Sequence, residues 1–217
     1  MDAEAVIFDM DGVLVDTAEA HCALWQRLAA DFGIEISRAR FLKSFGRPTR
    51  EIIRMRFPDH LTDEDIRRLA ESKEAHYREL AAGTVKLIPH ALDLLGRLQQ
   101  AGIAMAVGSS APPENVEQIL DLFSLRRFFR TAINGGDVSR GKPDPEVFLL
   151  AAARLGVNPA RCAVIEDAPA GIQAARAAGM TAIALTTSHP ADAFPHAHRV
   201  VDSLADLRPG QLLALEP

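Results

Sequence analysis

The sequence predicts a doubly wound parallel α/β sheet that carries an inserted α-helical domain. Short, almost wholly apolar runs recur at residues 5–8, 103–107, 162–165 and 181–185, and the last three each follow a helix-like segment ending in Gly102, Gly156 or Gly179. A strand without polar alternation is covered on both faces, and helix–glycine–strand alternation is how such a sheet is wound. Between residues 15 and 84 the pattern changes, because no strand-like run occurs and apolar residues recur at helical spacing.

The first run, Ala-Val-Ile-Phe, ends abruptly in Asp9-Met10-Asp11-Gly12. Asp16 with Glu19 then reads as a capping pair for a helix whose Leu24, Trp25, Leu28, Ala29 and Phe32 share a face before Gly33. A second helix opens at Thr62, with Asp65 three residues on, and carries Ile66, Leu69, Leu80 and Ala81 to a stop near Gly83. The insert leaves the sheet after the first strand and returns before Pro89. The expected domains are therefore a discontinuous α/β core, residues 1–14 plus 85–217, and a helical cap, residues 15–84.

A chain of 217 residues suits one core and a small second domain, and 48% apolar with 24% charged residues is ordinary folded composition. The net charge of −5, with both signs interleaved, argues against a nucleic-acid partner. No apolar run approaches the roughly 20 residues that span a bilayer, so no membrane partner is expected. Met1-Asp2-Ala3-Glu4 is acidic, unlike a signal peptide, which points to a cytoplasmic protein, expected to be a monomer. Cys22 and Cys162 fall in different predicted domains without metal-ligand spacing and read as two free buried thiols. Repeats of 20 to 50 residues and low-complexity tracts are absent.

In open α/β sheets ligands bind beyond the carboxyl ends of the strands. Here those ends present Asp9 and Asp11, then Ser109 and Ser110, then Glu166 and Asp167, while a loop offers Gly141-Lys142-Pro143. Carboxylates gathered at reduced dielectric repel one another and call for cations. A hard divalent ion such as Mg²⁺, with Lys142, supplies them. With phosphate on the metal, one carboxylate of Asp9-x-Asp11 can attack in line while the other passes protons to the leaving oxygen and from water. Ser109 would hold a phosphate oxygen, a role equally open to Ser110, and Lys142 would offset charge on the nucleophile and the transferring group. The plain structural readings are a turn for Asp-x-Asp, a helix cap for Ser109-Ser110, an exposed loop position for Lys142 and a helix start for Glu166-Asp167. Together, and in order at strand ends, the residues favour chemistry.

Asp9-Met10-Asp11-Gly12-Val13, Ser109, Lys142 and Glu166-Asp167 resemble the four motifs of the haloacid dehalogenase superfamily. The helical insert resembles the C1 cap of its β-phosphoglucomutase-like and phosphoglycolate phosphatase-like members. The resemblance implies Asp9 as nucleophile and Asp11 as acid/base. It implies metal held by Asp9, the Asp11 main-chain carbonyl and Asp167, with Glu166 acting through water. A second acid at Asp11 argues against dehalogenation, whose family members lack it.

In the cap, His21 lies one turn after Thr17 and matches a histidine of the mutase-like members near the acid/base; Lys73 matches a cap lysine. Surface positions are the plain readings of both. Phe45-Gly46-Arg47-Pro48-Thr49-Arg50 resembles the family's specificity loop, but Phe45 and Thr49 stand where the mutase pattern has lysine and arginine. Arg47 or Arg50 is the candidate replacement. Thr17, His21, Gly46, Arg47, Arg50, Lys73 and Ser110 are thus the expected substrate contacts. The leading expectation is a Mg²⁺-dependent phosphatase of a sugar phosphate or phosphoglycolate-like monoester. The alternatives are a β-phosphoglucomutase-type mutase and, from another class, a catalytically idle phosphate-binding protein.

Overall fold

The computed structural model describes residues 4–213. In chain order it contains β1 (Ala5–Phe8), β2 (Val15–Asp16), α1 (Ala18–Ala30), α2 (Arg38–Leu42), α3 (Thr49–Arg56), α4 (Asp63–Thr84), β3 (Lys86–Leu87), α5 (Ala91–Gln100), β4 (Ala104–Gly108), α6 (Pro113–Leu122), β5 (Thr131–Ile133), α7 (Glu146–Leu155), β6 (Cys162–Glu166), α8 (Pro169–Ala177), β7 (Thr181–Leu185), β8 (Arg199–Val201) and α9 (Pro209–Leu213). The four apolar runs are β1, β4, β6 and β7. Gly102, Gly156 and Gly179 end the helices before the last three with φ of 72°, 71° and 71°, the left-handed turn that glycine adopts without strain.

One six-stranded sheet runs in the order β5-β4-β1-β6-β7-β8, with every pairing parallel. Strand β1 lies at its centre and explains the winding: Val6 and Phe8 join the apolar cluster on one face, Ala5 and Ile7 the cluster on the other. Helix α5 supplies Leu94, Leu95 and Leu98 to the first layer; α7 and α8 supply Phe148, Ala151 and Ile172 to the second. The chain moves from β1 to β4 and β5 on one side, then crosses to β6, β7 and β8 on the other. That reversal opens a crevice at the carboxyl ends of β1, β4 and β6. Strands β5 and β8 have no counterpart in the expected pattern, because these edge strands are three residues long and partly exposed.

Helices α1 to α4 pack around a cluster of their own, including Trp25, Ile36, Phe41, Phe45, Ile53, Phe57 and Ile66. The chain enters and leaves this unit through an antiparallel ribbon, Val15 opposite Leu87 and Asp16 opposite Lys86. The ribbon corrects two expectations. A strand does occur after residue 14, and Asp16 lies in it rather than capping α1, whose N-cap is Thr17. Backbone pairing across the neck outweighs a local cap. Helix α4 also runs on through Gly83 to Thr84. Among the described residues, no helix is long and apolar enough to cross a membrane. Cys22 and Cys162 are free and buried.

Helix α4 begins with a complete capping box: the Thr62 hydroxyl accepts from the Asp65 N–H at 3.2 Å and the Asp65 carboxylate accepts from the Thr62 N–H at 3.0 Å. Thr62→Ala is expected to cost about 1 kcal/mol in urea unfolding, the usual worth of an N-cap. Its kcat should stay within about twofold of wild type, since surface changes remote from chemistry act on stability alone.

Candidate active site

Asp9 follows β1 directly, and its N–H donates to the Ile165 carbonyl at 3.0 Å, so it sits level with the end of β6 where Glu166 and Asp167 emerge. The chain then turns tightly, with the N–H groups of Val13, Leu14 and Val15 all directed at the Met10 carbonyl. Gly12 makes this possible. Its φ is +79°, and a Cβ there would collide with the Asp167 carboxylate. The Thr187 hydroxyl donates to the Gly12 carbonyl at 2.6 Å and fastens the turn to the segment after β7.

Lys142 reaches in from the loop before α7. It is 1% exposed and donates to Asp9 Oδ1 at 2.7 Å and Glu166 Oε1 at 2.8 Å, with Phe148 beneath its ammonium at 4.7 Å. Glu166 Oε2 accepts from the Ala168 N–H at 2.6 Å, and the Ser188 hydroxyl donates to Asp167 Oδ2. Ligand atoms of Asp9, Glu166 and Asp167 lie within 4.8 Å of one another, all three side chains buried. Burial pushes the Asp9 carboxyl up to about 7 against the pull of Lys142, and raises Asp167 well above the carboxylate range, with Glu166 and Asp9 adding to it. Burial works against the Lys142 ammonium too, yet Asp9 and Glu166 hold its pKa above the ordinary value. Three carboxylates around one ammonium are short of positive charge, and their hard oxygens suit a divalent cation. These residues fit a metal ion.

Asp11 turns away from that cluster. Its Oδ1 accepts from Thr17 Oγ1 at 2.7 Å and lies 3.8 Å from His21 Nε2. Thr17, expected to touch substrate, is fully buried and spends its hydroxyl on Asp11. His21 stacks on Tyr77 at 4.2 Å, and its Nδ1 lies 2.9 Å from Lys73 Nζ. An ammonium only donates, so Nδ1 is the acceptor and the ring proton is assigned to Nε2, facing Asp11.

A chamber between cap and core collects Asp9, Asp11, Ser109 and Ser110 from the sheet side and His21, Gly46, Arg47 and Lys73 from the cap. Ser109 directly follows β4, and its Oγ accepts from the Ala111 N–H at 3.1 Å, which leaves the hydroxyl proton to point elsewhere. Lys73, read by default as a solvated lysine, is 4% exposed, and its ammonium lies 5.2 Å from the Trp25 ring. Gly46 packs its Cα side against Ala168 of the core. Arg50 is not in this chamber; it borders the wider cleft of about 630 Å³ alongside. Helix α3 begins at Thr49 and turns Arg50 to that side.

Residues 6–185 match the haloacid dehalogenase-like hydrolase family. The chain belongs to it. Among its relatives is validoxylamine A 7'-phosphate phosphatase of Streptomyces hygroscopicus subsp. limoneus, 34% identical over 94% of this chain and 96% of that protein. The fructose-1-phosphate phosphatase of Escherichia coli is 34% identical over 82% of this chain and 94% of its own length. Among solved structures, the β-phosphoglucomutase of Clostridium difficile superposes with a TM-score of 0.86 at 30% identity, covering 95% of this chain and 93% of that one.

In this family member the chamber also holds residues that strand-end reasoning passed over. Trp25, Thr49, Glu74 and Asn115 line it, and Ser188 supports Asp167 from the end of β7. The rule that found Glu166 applies equally to Ser188. Glu74 had no such signal, since a Lys-Glu pair on a charged helix reads as a solvated face. In the fold its carboxylate accepts from Thr49 Oγ1 at 2.5 Å, Lys73 Nζ at 2.8 Å and Asn115 Nδ2 at 2.7 Å.

Burial alone would push the Glu74 carboxyl up, but Lys73, His21 and the bonds from Lys73 and Thr49 hold it at about 2. A folded pKa below the unfolded value means that the ionised group stabilises the fold above about pH 4.5, an advantage lost as pH falls toward 2. The shift corresponds to about 3 kcal/mol at neutral pH. In urea unfolding, the stability excess of wild type over Glu74→Gln should shrink by about 2 kcal/mol on going from neutral pH to about pH 3. A difference independent of pH would remove the ionised pair from the account.

Proposed function

We propose that the protein is a Mg²⁺-dependent phosphatase acting on a small phosphorylated metabolite, with Asp9 as nucleophile and Asp11 as acid/base. The observation that carries this reading is the unequal setting of two neighbouring carboxylates. Asp9 is buried and held at one oxygen by Lys142, while Asp11 is partly exposed and held by Thr17 beside the Nε2–H of His21. A nucleophile needs its attacking oxygen fixed; a proton carrier needs room to exchange with the leaving group and with water.

Mg²⁺, held by Asp9, Asp167 and the Asp11 main-chain carbonyl with Glu166 acting through water, would offset the carboxylate charge and that of the phosphoryl oxygens. Glu166 already accepts from Lys142 and from the Ala168 N–H, and these two bonds fix its carboxylate beside the metal position. Lys142 orients Asp9, and Ser109, its oxygen engaged by Ala111, turns its proton to a phosphate oxygen. Asp9 attacks phosphorus, the phosphorus–oxygen ester bond breaks, and Asp11 gives its proton to the departing alkoxide. Water then surrenders a proton to Asp11 and displaces phosphate from the Asp9 acyl phosphate, restoring both residues. The cap, docked over the chamber, keeps bulk water from the first step.

The likeness to β-phosphoglucomutase supports a second reading, a phosphosugar mutase on the same groups. Phe45 and Thr49 weigh against it, because neither supplies the positive charge that a second phosphate would need.

Asp9→Asn, which cannot form an acyl phosphate, is expected to lose turnover while remaining folded by circular dichroism. Near wild-type rates would end the covalent mechanism. Asp11→Asn should slow alkyl phosphate hydrolysis by about 10² to 10⁴-fold, the range of general acid/base help. An aryl phosphate, whose alcohol departs with little protonation, should give a burst of phenol and then a slow steady state. Equal losses with both esters and no burst would show that Asp11 acts structurally.

A further inference from the structure

The cap-side wall of the chamber carries an anion whose hydrogen bonds have already been supplied. Glu74 is 5% exposed and shares the chamber with Asp9 and Asp11. Three elements converge on it: Lys73 from α4, Thr49 from the start of α3 and Asn115 from α6. The Asn115 amide is oriented for this contact, since its Oδ1 accepts from Arg78 Nη1 at 3.0 Å and its NH₂ is thereby turned to the carboxylate.

These are the donors that an anionic substituent on a substrate's alcohol would require. Lys73, the buried cation of the wall, has its charge offset by Glu74 at 2.8 Å and its ammonium shared with His21. Arg47 also borders the chamber, but it is partly exposed and lies 3.8 Å from Glu51, so its charge is both solvated and paired. A second phosphate or a carboxylate brought to this wall finds its donors taken and the buried ammonium already neutralised. A hydroxyl meets neither obstacle. A carboxylate offers about four acceptor sites, so Glu74 can still accept from a substrate O–H beyond the three donors it holds. Trp25, Phe45 and Ile52 add apolar surface for the carbon face of a ring.

We infer that Glu74 is a specificity-determining residue that excludes a second anionic group, so that the substrate is the phosphate monoester of a neutral, polyhydroxylated alcohol rather than a phosphorylated acid or a bisphosphate. The inference rests on the phosphatase reading and narrows its substrate class. It also weighs against the mutase reading, since a second phosphate brought to this wall would find Lys73 already paired with Glu74.

The test is kcat/KM, with Mg²⁺, for a hexose monophosphate, 2-phosphoglycolate and a hexose 1,6-bisphosphate, alongside an aryl phosphate as a check on phosphatase chemistry. Wild type is expected to favour the hexose monophosphate over both anionic esters by roughly tenfold or more, the scale on which a mismatched pocket group discriminates. Glu74→Gln keeps the side-chain shape and one acceptor oxygen, and should shrink that preference by roughly tenfold. A ratio between substrates is not moved by general loss of folded enzyme. Wild type that hydrolyses 2-phosphoglycolate or the bisphosphate as well as the monophosphate would overturn the inference while the phosphatase reading stands, and this comparison needs no variant. A folded Glu74→Gln with an unchanged ratio would remove Glu74 as its cause. No release of phosphate from any ester, the aryl phosphate included, would overturn both readings.

Discussion

The site is organised by the crowding of Asp9, Glu166 and Asp167 around a single buried ammonium, that of Lys142. Isolated charges are expelled from protein interiors, and they persist here because each is bonded to a group that the fold holds rigidly. Lys142 bonds two of the carboxylates, the Ala168 N–H takes one oxygen of Glu166, and Ser188 takes one of Asp167. Much nearby structure serves this packing. The parallel pairing of β1 with β6 brings Asp9 level with Glu166, and the left-handed Gly12 clears space for Asp167. Burial is the main reason that the carboxyls of Asp9 and Asp167 are raised, the neighbouring carboxylates add to it, and a cation among them would relieve both.

A second charged set, in the cap, is built on the opposite plan. Lys73 and Glu74 neutralise each other, His21 bridges them toward Asp11, and Asn115 carries the network across to the core. Cap and core therefore meet through two kinds of contact. Near the β2–β3 ribbon the seam is apolar, with Leu24, Tyr77 and Ala81 joining the cluster on that face of the sheet. Around the chamber it is polar: Asn115 bonds Glu74 and Arg78, Gln118 Nε2 donates to the Arg78 carbonyl at 2.8 Å, and the His189 ring spans the carbonyls of Leu42 and Asp167. Polar contacts exchange readily with water, whereas apolar ones do not. An arrangement with its apolar seam at the neck and its polar seam at the mouth suits a cap that admits substrate at one side.

The chain displays its architecture openly and its recognition surface poorly. Strands β1, β4, β6 and β7 are visible because both faces are buried and nearly every position is apolar, whereas the edge strands β5 and β8 mix exposed residues and leave no such trace. Asp16 misleads for a related reason, since its Asp-x-x-Glu spacing imitates a cap and only the strand across the neck, Lys86–Leu87, claims its backbone. Thr17 is buried with its hydroxyl on Asp11, and Arg50 borders a cleft that Ser109 and Lys142 also line. Helical spacing sets an angle around an axis, but the packing of that helix decides which angle faces the substrate.

Local order and periodicity by themselves determined the doubly wound sheet, the position of the helical insert and the strand-end residues from which a phosphate chemistry can be argued. Each of those features is encoded within a few residues by hydrophobic period, glycine stops and the abrupt polar end of an apolar run. Only the tertiary structure decided how the charges are shared. Lys142 and Asp9 are 133 residues apart in the chain, and Glu74 and Asn115 are 41 apart. Whether a Lys-Glu pair is a solvated face or a buried wall depends on what packs over it, and no local pattern along α4 carries that information.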